Sequence, residues 1–268
     1  MEKVFEKTLV IVIFGLCLIL AIFIIDDRFE VRSACANTNE NLYKNKVVKI
    51  FETKEPVSQE LSLQEIDRRI NSFFSYLDEQ QYVKSYKFLS GSKQQFEEMF
   101  QILTSNPPSV PRETDSIDRL IKNVFYFYRL LGKERIKFIK DILKNESDII
   151  EPLMHTLYLM FTTDNEYFIL ESARSSIEQL YVYACFFLET LGGRSYLLRR
   201  DSKVRILILY YCVLIIDTAN HEGLNSNGID IRPHLKLVSK DITHQTGLNY
   251  KNHYFMKLET LKKNYRLS

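Results

Sequence analysis

Tryptophan is absent from this 268-residue chain, and glycine (8) and proline (6) are scarce. So few turn-formers beside 46% hydrophobic residues disfavour a fold of many short strands and favour long helices. The four cysteines contain no C-x-x-C pair, so neither a zinc knuckle nor a thioredoxin-type site is supported. Cys185 and Cys212 lie in the apolar runs YACFF and YYCVL and read as buried thiols rather than a disulfide. Neither sign of charge dominates: 36 Lys and Arg against 34 Asp and Glu leave a net +2, which does not define a polyanion binder by composition. Also missing are G-x-S-x-G, H-E-x-x-H, the phosphate-binding G-x-x-x-x-G-K-[ST] and G-x-G-x-x-G.

What is present begins with Thr8–Ile25, TLVIVIFGLCLILAIFII, an uncharged run of 18 residues. As a helix it covers about 27 Å, close to the ~30 Å hydrocarbon core of a bilayer. It exceeds the ~7–15 residues of a cleaved signal. The A-x-A match at Ala34-Cys35-Ala36 is cut off from it by the charged segment Asp26–Arg32. Ser33-Ala34-Cys35 resembles the end of a lipid-attachment box, but Arg32 stands where an aliphatic residue is wanted. The run therefore reads as an uncleaved signal anchor. Lys3, Lys7 and the free amine precede it and Arg28 and Arg32 follow it. With a head of only seven residues, this favours an exported C-terminal domain, periplasmic or otherwise extracytoplasmic, over a cytoplasm-facing one.

After the anchor (1–25), residues 26–57 form a polar tether. The body then reads as all-α: a helical-hairpin unit over 58–104 and a main bundle over 115–268, separated by the proline-rich Ser105–Asp115. Ser62-Leu63-Gln64-Glu65 is a capping-box pattern ahead of Ile66, Ile70, Phe73, Phe74 and Leu77. A second helix carries Tyr82, Val83, Tyr86 and Leu89 and is expected to stop at Ser90-Gly91-Ser92. A third presents Phe96, Met99, Phe100 and Leu103. No second copy of the hairpin recurs at a period near 34 residues. Asp115 or Ser116 caps the next helix, on Val124, Tyr128 and Leu131, and Gly132 ends it. Ile136, Ile139, Ile142 and Leu143 mark a lysine-flanked helix, and Leu153, Met154 and Leu157 another. Leu180, Tyr181, Ala184 and Leu188 share a face that Gly192-Gly193 should close. Asp201 or Ser202 caps a helix whose centre, Ile206–Ile216, is apolar all round. Those eleven residues read as too short to span a bilayer and as a buried central helix. A final helix spans about Tyr250–Asn264.

Candidate chemistry is sparse. Asp217 and His221 stand i, i+4, but two ligands are not a metal site and spacing names no third. Asn225-Ser226-Asn227-Gly228 echoes part of a calcium loop, yet Gly223 and His234 fall where carboxylates are needed. Glu171-Ser172 resembles the Glu-Ser pair of helical lytic transglycosylases, but that family's Gly-rich motif is absent, so Glu171 reads as a surface residue. From Leu224 onward eight Lys and Arg face three Asp and Glu, interleaved with aromatics. Helical spacing already accounts for those aromatics, so nucleic acid is not the expected partner.

The expectation is an anchored helical interaction or scaffold module of a membrane or envelope assembly, with no catalysis, cofactor or metal. It contacts the membrane through Thr8–Ile25 and binds a protein partner, and the sequence sets no oligomeric state. The polar loop Gly223–His234 is the candidate contact region, through Asn225, Asn227, Asp230, Arg232 and His234. Two rival readings are a hydrolase assembled from several helices around Asp217, His221 and His234, and a cytoplasm-facing regulator binding nucleic acid or anionic lipid through the basic C-terminal segment.

Overall fold

The computed structural model describes residues 62–86, 90–110, 115–162, 180–192 and 203–267. The anchor Thr8–Ile25, the tether, Glu171-Ser172, Asp201 and Ser202 lie outside the described residues. Among those described the fold is all-helical, with no strand. They form two compact units, one of residues 62–103 and 131–162 and one of residues 104–130, 180–192 and 203–267.

The first unit starts with α1 (Leu63–Glu79), where Ser62 Oγ accepts from Glu65 N at 3.2 Å. Only half of the capping box forms, because the Glu65 carboxylate is taken by Arg68 and Arg69. α2 is a single turn (Gln81–Lys84), and α3 runs Gly91–Thr104. The Ser90-Gly91-Ser92 stretch therefore starts a helix rather than stopping one. Gly91 takes φ +80° with the Asp78 carboxylate 3.0 Å from where a Cβ would sit, and Ser92 N donates to that carboxylate at 2.7 Å. Asp78 of α1 thus caps α3, a partner that no local pattern specifies.

α4 (Ile117–Asn145) is two helices in all but name. Ser116 Oγ accepts from Arg119 N, and Gly132 breaks the helix at φ 77°, ψ 159°. α5 (Ser147–Thr162) follows, with Pro152 inside it, and packs on α1. In the first unit Phe73, Phe74, Phe96, Phe138 and Tyr86 form a chain of edge-on rings at 5.1–5.7 Å. Beside them the buried Glu146 carboxylate accepts from Tyr76 Oη at 2.8 Å and Tyr82 Oη at 2.9 Å.

The second unit holds the first half of α4, then α6 over 180–187 passing into a π-helical turn, Leu188–Gly192. α7 (Lys203–His221) is buried along almost its whole length. α8 (Ile231–His244) packs on α7 and on the π turn, and α9 (Lys251–Asn264) packs on α8. At 19 residues, α7 is long and apolar enough to cross a membrane by length and composition. Dismissing it as too short is therefore corrected: the apolar centre extends into a full-length helix. What marks it as a core helix is that 72% of its apolar window is buried within the fold. Arg205, wholly buried in its first turn, reaches Asp241 Oδ2 at 2.8 Å.

α8 has no counterpart among the sequence expectations, which left residues 229–234 in a loop. Asp230 caps it by accepting from Arg232 N, and Ile231, Leu235, Val238 and Ile242 make its buried stripe. Pro233 is harmless there, because first-turn N–H groups have no acceptor within the helix.

Candidate functional site

The turn between α7 and α8 is built by its own side chains. α7 closes with Leu224 N donating to Ala219 O at 2.8 Å. Asn225 then turns inward. Its Oδ1 accepts from Tyr181 Oη at 2.5 Å and from Ile229 N at 3.0 Å. Its Nδ2 donates to Asn220 Oδ1 at 2.6 Å and to Ile229 O at 3.0 Å. Tyr181 Oη also accepts from Asn227 N at 2.9 Å. Asn220 Nδ2 in turn donates to Tyr265 Oη, which donates to Asp217 Oδ1 at 3.0 Å. One network thus ties α6, the end of α7, the turn and the residue after α9. Burial pushes the Tyr181 hydroxyl up to about 12, so it stays a proton donor at neutral pH.

The five residues expected to make an external contact divide accordingly. Asn225 is consumed inside the turn, and Asn227 contributes its backbone while its side chain is exposed. Asp230 caps α8 and pairs with Arg232 Nε at 2.8 Å, and that hydrogen bond holds the Asp230 carboxyl below its usual range. Only Asn227, Asp230 and Arg232 face water, two of them engaged with each other. His234 is buried on α8, its Nε2 3.5 Å from Glu189 Oε1 in the π turn. The loop is therefore held from inside by Asn225 and Tyr181, while Asn227, Asp230 and Arg232 form its outward side.

The other chemical candidates also have structural partners. His221 Nδ1 lies 2.8 Å from Asp217 O on the exposed end of α7. No cluster of three metal-ligating side chains occurs among the described residues. Cys185 and Cys212 are both buried thiols not joined in a disulfide, as the sequence suggested. Burial pushes the Cys185 thiol up to about 12, the opposite of an activated nucleophile.

Sequence reasoning missed exposed apolar side chains on two helices of this unit. Phe125 (55% exposed) and Tyr126 (40%) lie on the first half of α4, and Phe255 (43%) and Met256 (70%) on α9. The signal was there: Phe125 and Tyr126 fall off the 3–4 spacing of Val124, Tyr128 and Leu131, as Phe255 and Met256 fall off that of Tyr254, Leu258 and Leu261. No protein-family model, curated protein or solved structure matches this chain.

Proposed function

We propose that this chain is a single-pass, membrane-anchored helical module that binds another protein of the same membrane or envelope assembly, with Thr8–Ile25 as the anchor. The observation that carries the protein-binding reading is the outward face of α4. Arg119 is neutralised by Asp115 at 2.7 Å and Lys122 by Asp118 at 2.7 Å. The exposed groups on the same face are Phe125, Tyr126 and Arg129. Exposed aromatics with one arginine and little net charge suit a protein partner better than a polyanion. The charge balance around the anchor favours export of the body.

Two measurements test this. A photo-crosslinking side chain at Phe125 in the full-length, membrane-borne chain should give a discrete protein adduct that Tyr126→Asp abolishes. The same probe at exposed Glu222 should give none. Identical products from both positions would sink the α4 face as a binding surface. A topology reporter after Ser268 should be active outside the cytoplasm; activity only inside would overturn the exported assignment.

A further inference from the structure

The outer face of α9 carries a second, different surface. Its buried stripe is Tyr254, Leu258 and Leu261. At 100° per residue, Asn252, Met256 and Lys263 lie roughly opposite that stripe, flanked by Phe255 and Glu259 on one side and Lys257 and Thr260 on the other. The most exposed large apolar side chain described, Met256, thus points away from the core with Phe255 beside it. The one carboxylate on the face, Glu259, is taken by Lys262 at 2.7 Å. Lys251 is used to close α8, donating to Thr243 O and Gln245 O. On α9 and just after it, Lys257, Lys263 and Arg266 are exposed with no acidic partner among the described residues, and α8 adds exposed Lys236 and Lys240.

The geometry points to α9 lying on the anionic surface of the bilayer that holds the anchor, with Met256 and Phe255 entering the headgroup zone and Lys257, Lys263 and Arg266 meeting lipid phosphates. Adjacent apolar side chains ringed by unpaired cations are what an interfacial helix requires. The rest of the chain makes this occupant local. Thirty-six residues separate Ile25 from Ser62, and at about 3.4 Å each they reach at most ~120 Å. An anchored body therefore samples that surface continually, so weak individual contacts suffice. The inference rests on the anchor reading of Thr8–Ile25 but is independent of the protein partner on α4.

The test uses the full-length chain reconstituted in vesicles, with a spin label attached after Met256→Cys in a Cys17→Ser, Cys35→Ser background. Collision rates with oxygen and with a water-soluble nickel chelate report the label's surroundings. In vesicles of 70% phosphatidylcholine and 30% phosphatidylglycerol, the oxygen-to-nickel ratio should be at least about threefold that in pure phosphatidylcholine. Combining Lys257→Glu, Lys263→Glu and Arg266→Glu should remove that difference, with helical content checked by circular dichroism. A label that stays aqueous in both vesicles overturns the docking, as does a lipid-like ratio that ignores vesicle charge. Low collision with both reagents would mean a protein contact instead and overturns it equally. If alkaline carbonate extracts the chain from vesicles, the anchor reading itself has failed, a result separable from a label that is aqueous in a stably inserted chain.

Discussion

Replacing Asn225 by alanine separates a structural clasp from a recognition residue. The substitution removes four hydrogen bonds, two accepted by Oδ1 and two donated by Nδ2. At about 0.5–1.5 kcal/mol net for each bond, the simple sum is about 2–6 kcal/mol. The low end applies, because the site is part-buried and water replaces some partners. Tyr181 Oη also keeps its bond from Asn227 N, and Asn220 keeps Tyr265. A cost of about 2 kcal/mol corresponds to roughly a 30-fold rise in local opening. A single melting temperature is a poor readout for a chain of two compact units. Hydrogen exchange followed by mass spectrometry is the better assay, on peptides covering 224–232. The amides of Asn227 and Ile229, held by Tyr181 Oη and Asn225 Oδ1, should exchange roughly 30-fold faster. Asn225→Asp keeps both accepted bonds but sets an acceptor against Asn220 Oδ1 and Ile229 O, so it should fall between wild type and alanine. Exchange within twofold of wild type in the alanine variant would refute the clasp and return Asn225 to the list of contact residues.

Three further outcomes follow from the packing and charge. Phe138→Ala empties a ring that lies 5.1 Å from Tyr86 and 5.7 Å from Phe96. It should cost about 3–5 kcal/mol, read as lost exchange protection in α3 and in the second half of α4. The Glu65 carboxyl is held at about 2, first by its hydrogen bond to Arg68 and then by Arg69. A depressed carboxyl pKa contributes stability that is complete above the unfolded value near 4.5 and is lost as pH falls through about 2. Because the pair is largely solvated, Glu65→Gln should cost only about 0.5–1 kcal/mol at pH 6. That gap should narrow as pH falls from 4.5 towards 2 and close only below about 2, measured as the difference in urea stability between variant and wild type. Cys185 and Cys212 should resist a thiol reagent in the native chain and both react after unfolding without reductant; a disulfide-linked peptide would contradict the structure.

Much of the helical body is legible from local rules. Ser62 and Ser116 cap helices through backbone N–H groups three residues on, a pattern written within one turn of sequence. The stripes Ile66–Leu77 and Phe96–Leu103 are buried as their spacing requires. Gly132 interrupts its helix where a residue without a Cβ was placed to allow it. The same rules misread Ser90-Gly91-Ser92, whose cap comes from Asp78 on another helix, and overlooked α8 behind a proline that costs nothing in a first turn.

The candidate site was less legible, for a physical reason. An asparagine in a glycine-containing turn looks alike whether it faces solvent or a tyrosine. Tyr181 and Asn225 are 44 positions apart, and Tyr76 and Glu146 are 70. Sequence by itself therefore determined the all-helical class, the Ser62 and Ser116 caps, the inward stripes and the apolar run Thr8–Ile25, because each depends on neighbours within a few residues. Only the tertiary structure decided which side chains cover the full length of α7, that Asn225 turns inward as a clasp, and that Phe125, Tyr126, Phe255 and Met256 face outward. Those outcomes depend on which distant side chains arrive to cover or pair a group, and no local period encodes that.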